Sequence, residues 1–128
     1  MDKSTVIKAI DFFEKRLLDN GIKLSKIILF GSYANGNAAN DSDVDIIVVS
    51  SDFDGKDIFE RALLTKDAEI LTVKNFLIPM DIIMMSPREY ENETICGEVI
   101  YDNPKIAAWS KLLSKKNNFY LISFYKIL

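Results

Sequence analysis

The residues of this chain that could do chemistry are three aspartates and a glycine-serine pair. Asp43 and Asp45 flank Val44 at the start of an apolar run, and residues two apart in a strand project to the same side. Their carboxylates then share one small volume, with Ile47 and Val49 continuing that side. Like charges so close raise each other's pKa unless a cation intervenes, and a divalent ion with oxygen ligands, Mg²⁺ or Mn²⁺, is the usual solution. Asp81, Ile83 and Met85 repeat the pattern in a later run. A lone Asp buried between Met80 and Ile82 would be costly. If the two strands are neighbours, Asp81 completes a three-carboxylate site. The alternative is an exposed position on an edge strand, which Pro79 would suit. Asp41, Ser42 and Asp43 taken alone would read as turn and strand-entry residues.

Three such carboxylates suit two ions about 3.5–4 Å apart, one activating a hydroxyl and one stabilising a phosphate leaving group. The chain contains no His, so Asp81 is the natural group to take the proton from that hydroxyl. Gly31 lets the backbone approach a phosphate, and the amide and hydroxyl of Ser32 can donate to its oxygens at the start of a helical turn. On its own the pair is only a turn signal; its weight comes from the carboxylates that follow. Together these residues predict metal-assisted chemistry on a phosphate ester.

The surrounding pattern supplies elements to position them. Val6, Ile10, Phe13 and Leu17 recur at helical spacing after Ser4, a candidate N-cap, and Asn20-Gly21 ends that helix. Lys26–Phe30 predicts a buried strand that delivers Gly31-Ser32 to a sheet edge, and Val44–Val49 a second strand. Asp57 to about Val73 predicts a helix with an interruption near Thr65-Lys66. Phe76–Met85 predicts a third strand, Ser86-Pro87 the start of a short helix, Glu98–Tyr101 a further strand, and Pro104–Lys116 an amphipathic helix. This order predicts an α/β (α+β) fold, a small mixed sheet flanked by helices.

Composition bounds the possibilities. A chain of 128 residues, 48% hydrophobic and 27% charged, has room for one domain and its core. The net charge of −3 makes nucleic acid an unlikely bulk ligand. One Cys and no His exclude internal disulfides, Cys/His zinc sites and His-based catalysis. No apolar run reaches the length of a signal sequence or membrane span, from which a cytoplasmic location is expected. All nineteen acidic residues lie at or before Asp102, whereas residues 103–128 carry five Lys and no acid. The expected division is therefore a domain over 1–102 and a basic, apolar tail over 103–128. Phe119–Leu128 needs cover from the same core, from a second copy or from a partner.

Leu29-Phe30-Gly31-Ser32-Tyr33-Ala34-Asn35-Gly36, followed by Asp41-Ser42-Asp43-Val44-Asp45-Ile46, resembles the Gly-Ser, ten residues, Asp-x-Asp signature of the polymerase β nucleotidyltransferase superfamily. The resemblance spans roughly residues 5 to 102 and is closest to the minimal nucleotidyltransferases that accompany HEPN-domain toxins. It implies a nucleotidyltransferase fold and transfer of AMP from ATP, with Mg²⁺, onto a partner toxin, so that the protein would be an antitoxin. By the same resemblance Asp43 and Asp45 hold the metals, Asp81 is the third carboxylate and Gly31-Ser32 grips the nucleotide phosphates. Many relatives carry Arg where this chain has Asn35, which can hydrogen-bond a phosphate but brings no charge. Two other functions stay open: adenylyl transfer to a small molecule, as in the aminoglycoside-modifying relatives, and a non-catalytic module that neutralises a partner by contact.

Overall fold

The computed structural model describes residues 2–39, 42–95 and 97–103; Asp41 of the motif, the helix expected over Pro104–Lys116 and the apolar stretch Phe119–Leu128 lie outside them. Four strands form one mixed sheet in the order β3-β2-β1-β4. Strand β1 (Leu24–Phe30) runs antiparallel to β2 (Val44–Ser50) on one side and to β4 (Glu98–Asp102) on the other. Strand β3 (Met80–Met85) is parallel to β2, and the chain makes the crossover that parallel pairing requires through a long helix, α3 (Ile58–Phe76). The mixed sheet and its helices match the expected α/β fold.

Helices α1 (Lys3–Asp19) and α3 cover one face of the sheet. Val6, Ile10, Phe13 and Leu17 of α1 are fully buried against Ile27 and Leu29 of β1, Ile46 and Val48 of β2, and Ala68 of α3. Phe12 and Phe76 meet edge to face at 5.6 Å and join the two helices at one end. On the opposite face Ile28, Ile47 and Val49 form a smaller cluster with Phe30, Met85, Tyr90 and Ile95. Both faces of β1 and β2 are therefore apolar, as the unbroken runs in their sequences require.

Several boundaries differ from those expected. Asp2, not Ser4, caps α1, because its carboxylate accepts from the Thr5 amide at 2.9 Å and the Thr5 hydroxyl at 2.8 Å. Helix α3 runs without interruption: Asp57 and Glu60 form a capping box at its start, and its threonines stay helical, with the Thr72 hydroxyl donating to Ala68 O at 2.7 Å. It extends to Phe76 and closes at Leu77, in left-handed backbone at φ 54°, whose N–H donates to Val73 O at 2.8 Å. The third strand consequently begins at Met80, after Pro79, rather than at Phe76. Ser86 and Pro87 start α4 (Pro87–Glu91) as predicted, with Glu89 completing a second capping box. Gly31-Ser32 lies at the end of an interior strand, not at a sheet edge. Among the described residues no helix is long and apolar enough to cross a membrane.

Candidate active site

The topology brings three chain segments to one end of the sheet. Because β1 and β2 are antiparallel, the end of β1 meets the start of β2, and Phe30 pairs with Asp45. Because β2 and β3 are parallel, their starts coincide, and Asp45 lies directly opposite Asp81. Both aspartates project from the face that carries Ile47 and Val49, and Asp43 precedes β2 on the same side.

Electrostatics registers the crowding. Asp45 is raised above the usual carboxylate range, first by desolvation and then by the charges of Asp81 and Asp43. The donor set, carboxylate oxygens alone, suits a hard divalent cation such as Mg²⁺ or Mn²⁺. Among the described residues no group of three or more carboxylate or thiol side chains is gathered closely enough to enclose an ion as it stands.

Gly31 fits this corner because it has no side chain. A Cβ there would overlap Asp45 Oδ2 and stand 3.1 Å from Asp45 Cγ, and its backbone at φ 71° is one that side chains disfavour. Gly31 heads a single helical turn, α2 (Ser32–Asn35), which Gly36 ends in left-handed backbone at φ 74°. No side chain caps this turn, so its leading amides lack a side-chain acceptor. Ser32 is half-buried, Asn35 is exposed, and Tyr33 is buried in the main core. Gly31, Ser32 and Asn35 thus share one short turn, with Gly31 against Asp45.

The pattern of the sequence did not single out the wall beside Asp81. A cavity of about 550 Å³ is lined there by Asp81, Ile83, Lys56, Arg61 and Glu89, among others. Arg61 organises it: its guanidinium donates to Lys56 O at 2.9 Å and Met84 O at 3.0 Å, and pairs with Glu89 at 2.7 Å. The Arg61 hydrogen bond holds Glu89 well below the usual carboxylate range, at about 2. The capping pair Ser86/Glu89 is visible in the sequence; Arg61, 28 residues upstream in a helix, carries no signal of its own.

Residues 8–109 match the family described as nucleotidyltransferase domain. The chain is 30% identical over 125 residues to a provisionally named protein adenylyltransferase of Methanocaldococcus jannaschii, covering 90% of this chain and 83% of that protein. Among solved structures, a provisionally named nucleotidyltransferase from Sulfolobus solfataricus superposes with a TM-score of 0.62 at 19% identity, covering 80% of this chain and 86% of that one. A toxin-antitoxin structure with AMP-PNP aligns at a TM-score of 0.45 and 24% identity, over 98% of this chain and 88% of that one. With the family matched across most of its length and its fold shared with a solved relative, this chain belongs to the nucleotidyltransferase domain family and is a nucleotidyltransferase enzyme.

Proposed function

We propose that the chain transfers AMP from ATP onto a hydroxyl of a protein, with a tyrosine of a HEPN-type toxin as the acceptor and an antitoxin role as the outcome. The observation that carries the chemistry is the register of β2 on β3, which sets Asp45 opposite Asp81 with Gly31 pressed against Asp45. Adenylyl transfer to protein is also the activity in the name of the Methanocaldococcus relative.

In this reading Asp43, Asp45 and Asp81 hold divalent cations, Mg²⁺ or Mn²⁺, which when bound neutralise the triphosphate and lower the pKa of the attacking hydroxyl. The protein's own residues do the rest. The uncapped amides of α2 and the Ser32 hydroxyl donate to phosphate oxygens, and the Asn35 amide adds a neutral donor. Asp81, which lines the cavity beside β3, accepts the proton of the acceptor hydroxyl as its oxygen attacks the α-phosphorus. The bond to pyrophosphate breaks, and pyrophosphate leaves with the electron pair. Lys56 lines the same cavity and supplies a positive charge that Asn35 does not.

Incubation with ATP labelled in its α-phosphate, Mg²⁺ and a co-purified partner tests this. Label is expected on the partner with the wild-type chain and lost with Asp43→Ala and with Asp45→Ala. Label that persists in both variants would sink the catalytic assignment, and neutralisation of the partner without label would favour a binding module.

A further inference from the structure

Strand β3 is an edge of the sheet, and two hydrogen bonds show which of its backbone groups are left over. Pro79 O, just before β3, accepts from the amide of Val44 in β2 at 3.0 Å. In a parallel ladder alternate residues bond the same neighbour, so Asp81, Ile83 and Met85 also turn their amides and carbonyls to β2, and Met80, Ile82 and Met84 turn theirs outward. Met84 O fits this parity from the other side, because it accepts from the Arg61 guanidinium at 3.0 Å. Among the described residues no such partner meets the outward amides and carbonyls of Met80 and Ile82.

A groove follows these free groups. The cavity beside Asp81 is lined by Asp81, Ile82, Ile83 and Met84 in succession. A cavity on one face of the strand would meet only alternate residues, so this one runs along the edge, over three residue steps or about 10 Å. Asp81 stands at one end, and Arg61, which occupies Met84 O, closes the other. Lys56 O accepts from the same guanidinium, which places Lys56 at the closed end. With Arg61 matched by Glu89, Lys56 leaves that end one positive charge in excess. Ile58, 68% exposed, adds an apolar wall.

A row of outward strand amides and carbonyls is matched by another extended backbone. We propose, on the reading of the site as one that adenylylates protein, that the acceptor polypeptide adds an extended segment to this edge as a fifth strand. The segment runs antiparallel to β3, the more stable pairing, with its hydroxyl residue opposite Asp81 and an acidic residue two positions before it. The residues flanking the hydroxyl residue then exchange hydrogen bonds with Ile82 and Met80. The hydroxyl side chain leaves the new strand on the face of Asp81 and Asp45. The acidic residue falls opposite Ile83, toward Lys56, and the ladder stops where Arg61 holds Met84 O. The other edge of the sheet, β4, is separated from β3 by two strands and lies away from Asp81.

Residue-resolved amide exchange of the full chain, followed by NMR with Mg²⁺ and without ATP, tests this with the capped peptide Val-Glu-Val-Tyr-Val. The Ile82 amide is expected to exchange rapidly in the free chain and much more slowly with the peptide at millimolar concentration, while that of Ile83, already bonded to β2, changes little. N-methylation of the valine before the tyrosine should weaken binding about tenfold, the loss of a backbone hydrogen bond. N-methylation of the tyrosine, whose amide points away from β3, should leave binding unchanged, and lysine in place of the glutamate should weaken it roughly fivefold. An Ile82 amide already protected in the free chain, as when residues 104–128 cover the edge, overturns the proposal. So does a peptide that does not bind, equal effects of the two N-methylations, or a lysine peptide that binds as well. Docking and transfer fail separately: label from ATP on the peptide without protection of Ile82 leaves the transfer reading standing and sinks this one, and protection without label does the reverse.

Discussion

Asp45→Asn separates the cost of the carboxylate cluster from its use. Asp45 and Asp81 are direct cross-strand partners, so their charges stand about one strand spacing, ~5 Å, apart. Asp81 is exposed and Asp45 half-buried, so a water-like dielectric applies and the repulsion is about 1 kcal/mol at low salt. The sign follows from the raised pKa of Asp45. Below the ordinary value of 3.8 the group is protonated whether folded or unfolded, and the cost is absent. As the pH rises through that value the unfolded chain ionises first, so native stability falls until the folded group has ionised as well. At neutral pH, in chelator, the amide variant should therefore be more stable than the wild type, with a Tm higher by about 4 °C. This advantage should vanish in acid. Excess Mn²⁺ should reverse the order, since an ion at a hundred times its Kd stabilises the wild type by about 2.7 kcal/mol while the variant has lost a ligand. Thermal unfolding followed by circular dichroism, with chelator and with Mn²⁺, reads both effects. A variant less stable than the wild type in chelator at pH 7, or an order that Mn²⁺ leaves unchanged, would refute the account of Asp45 as a crowded metal ligand.

Gly31→Ala forces a Cβ onto Asp45 Oδ2 at a positive φ; it should cost roughly 1–3 kcal/mol and abolish transfer, and a variant with wild-type Tm and turnover would mean that the corner is not tight. Glu89 is held at about 2, from 4.5, chiefly by Arg61, so its stabilisation is full above 4.5 and is lost as the pH falls through 2. Because its side chain is 47% exposed, Glu89→Gln should cost only about 1 kcal/mol at pH 7; equal urea midpoints for variant and wild type there would count against the pair. Lys56 lines the cavity of Asp81 and has no ion pair among the described residues, so Lys56→Ala should raise the KM for ATP about tenfold, a charge-assisted contact, at unchanged Tm; an unaltered KM would remove it from the site.

What the sequence disclosed depended on whether the signal was local. Asp43 and Asp45 could be placed together from strand alternation alone, and Ser86-Pro87 announced α4 through capping chemistry. The end of α3 was not legible, because Phe76 and Leu77 favour a strand as readily as a helix and the stop is made by a Leu in left-handed backbone where Gly would have signalled it. The start of α1 is ambiguous in the sequence because Asp2 and Ser4 are both good caps, and only the hydrogen bonds to Thr5 distinguish them. Arg61 was invisible for a different reason: its partners, Met84 O and Glu89, lie in later elements, and no spacing within α3 encodes them.

The pairing of Asp45 with Asp81 joins residues far apart in the chain, and the core explains why the chain can hold it. Strand alternation ties the two faces of the sheet together. The register that buries Val44, Ile46 and Val48 opposite Met80, Ile82 and Met84 under the helices necessarily sets Asp45 opposite Asp81 on the other face. A slip of one residue would turn Asp81 into the apolar core and Ile82 out of it, at the cost of an unpaired buried carboxylate, several kcal/mol. The repulsion between the two carboxylates, about 1 kcal/mol, is too small to drive that slip. The helix-covered side of the sheet therefore enforces the register of the side that carries the aspartates, and the carboxylates can stay crowded without a bound cation because the apolar register opposite them has no acceptable alternative.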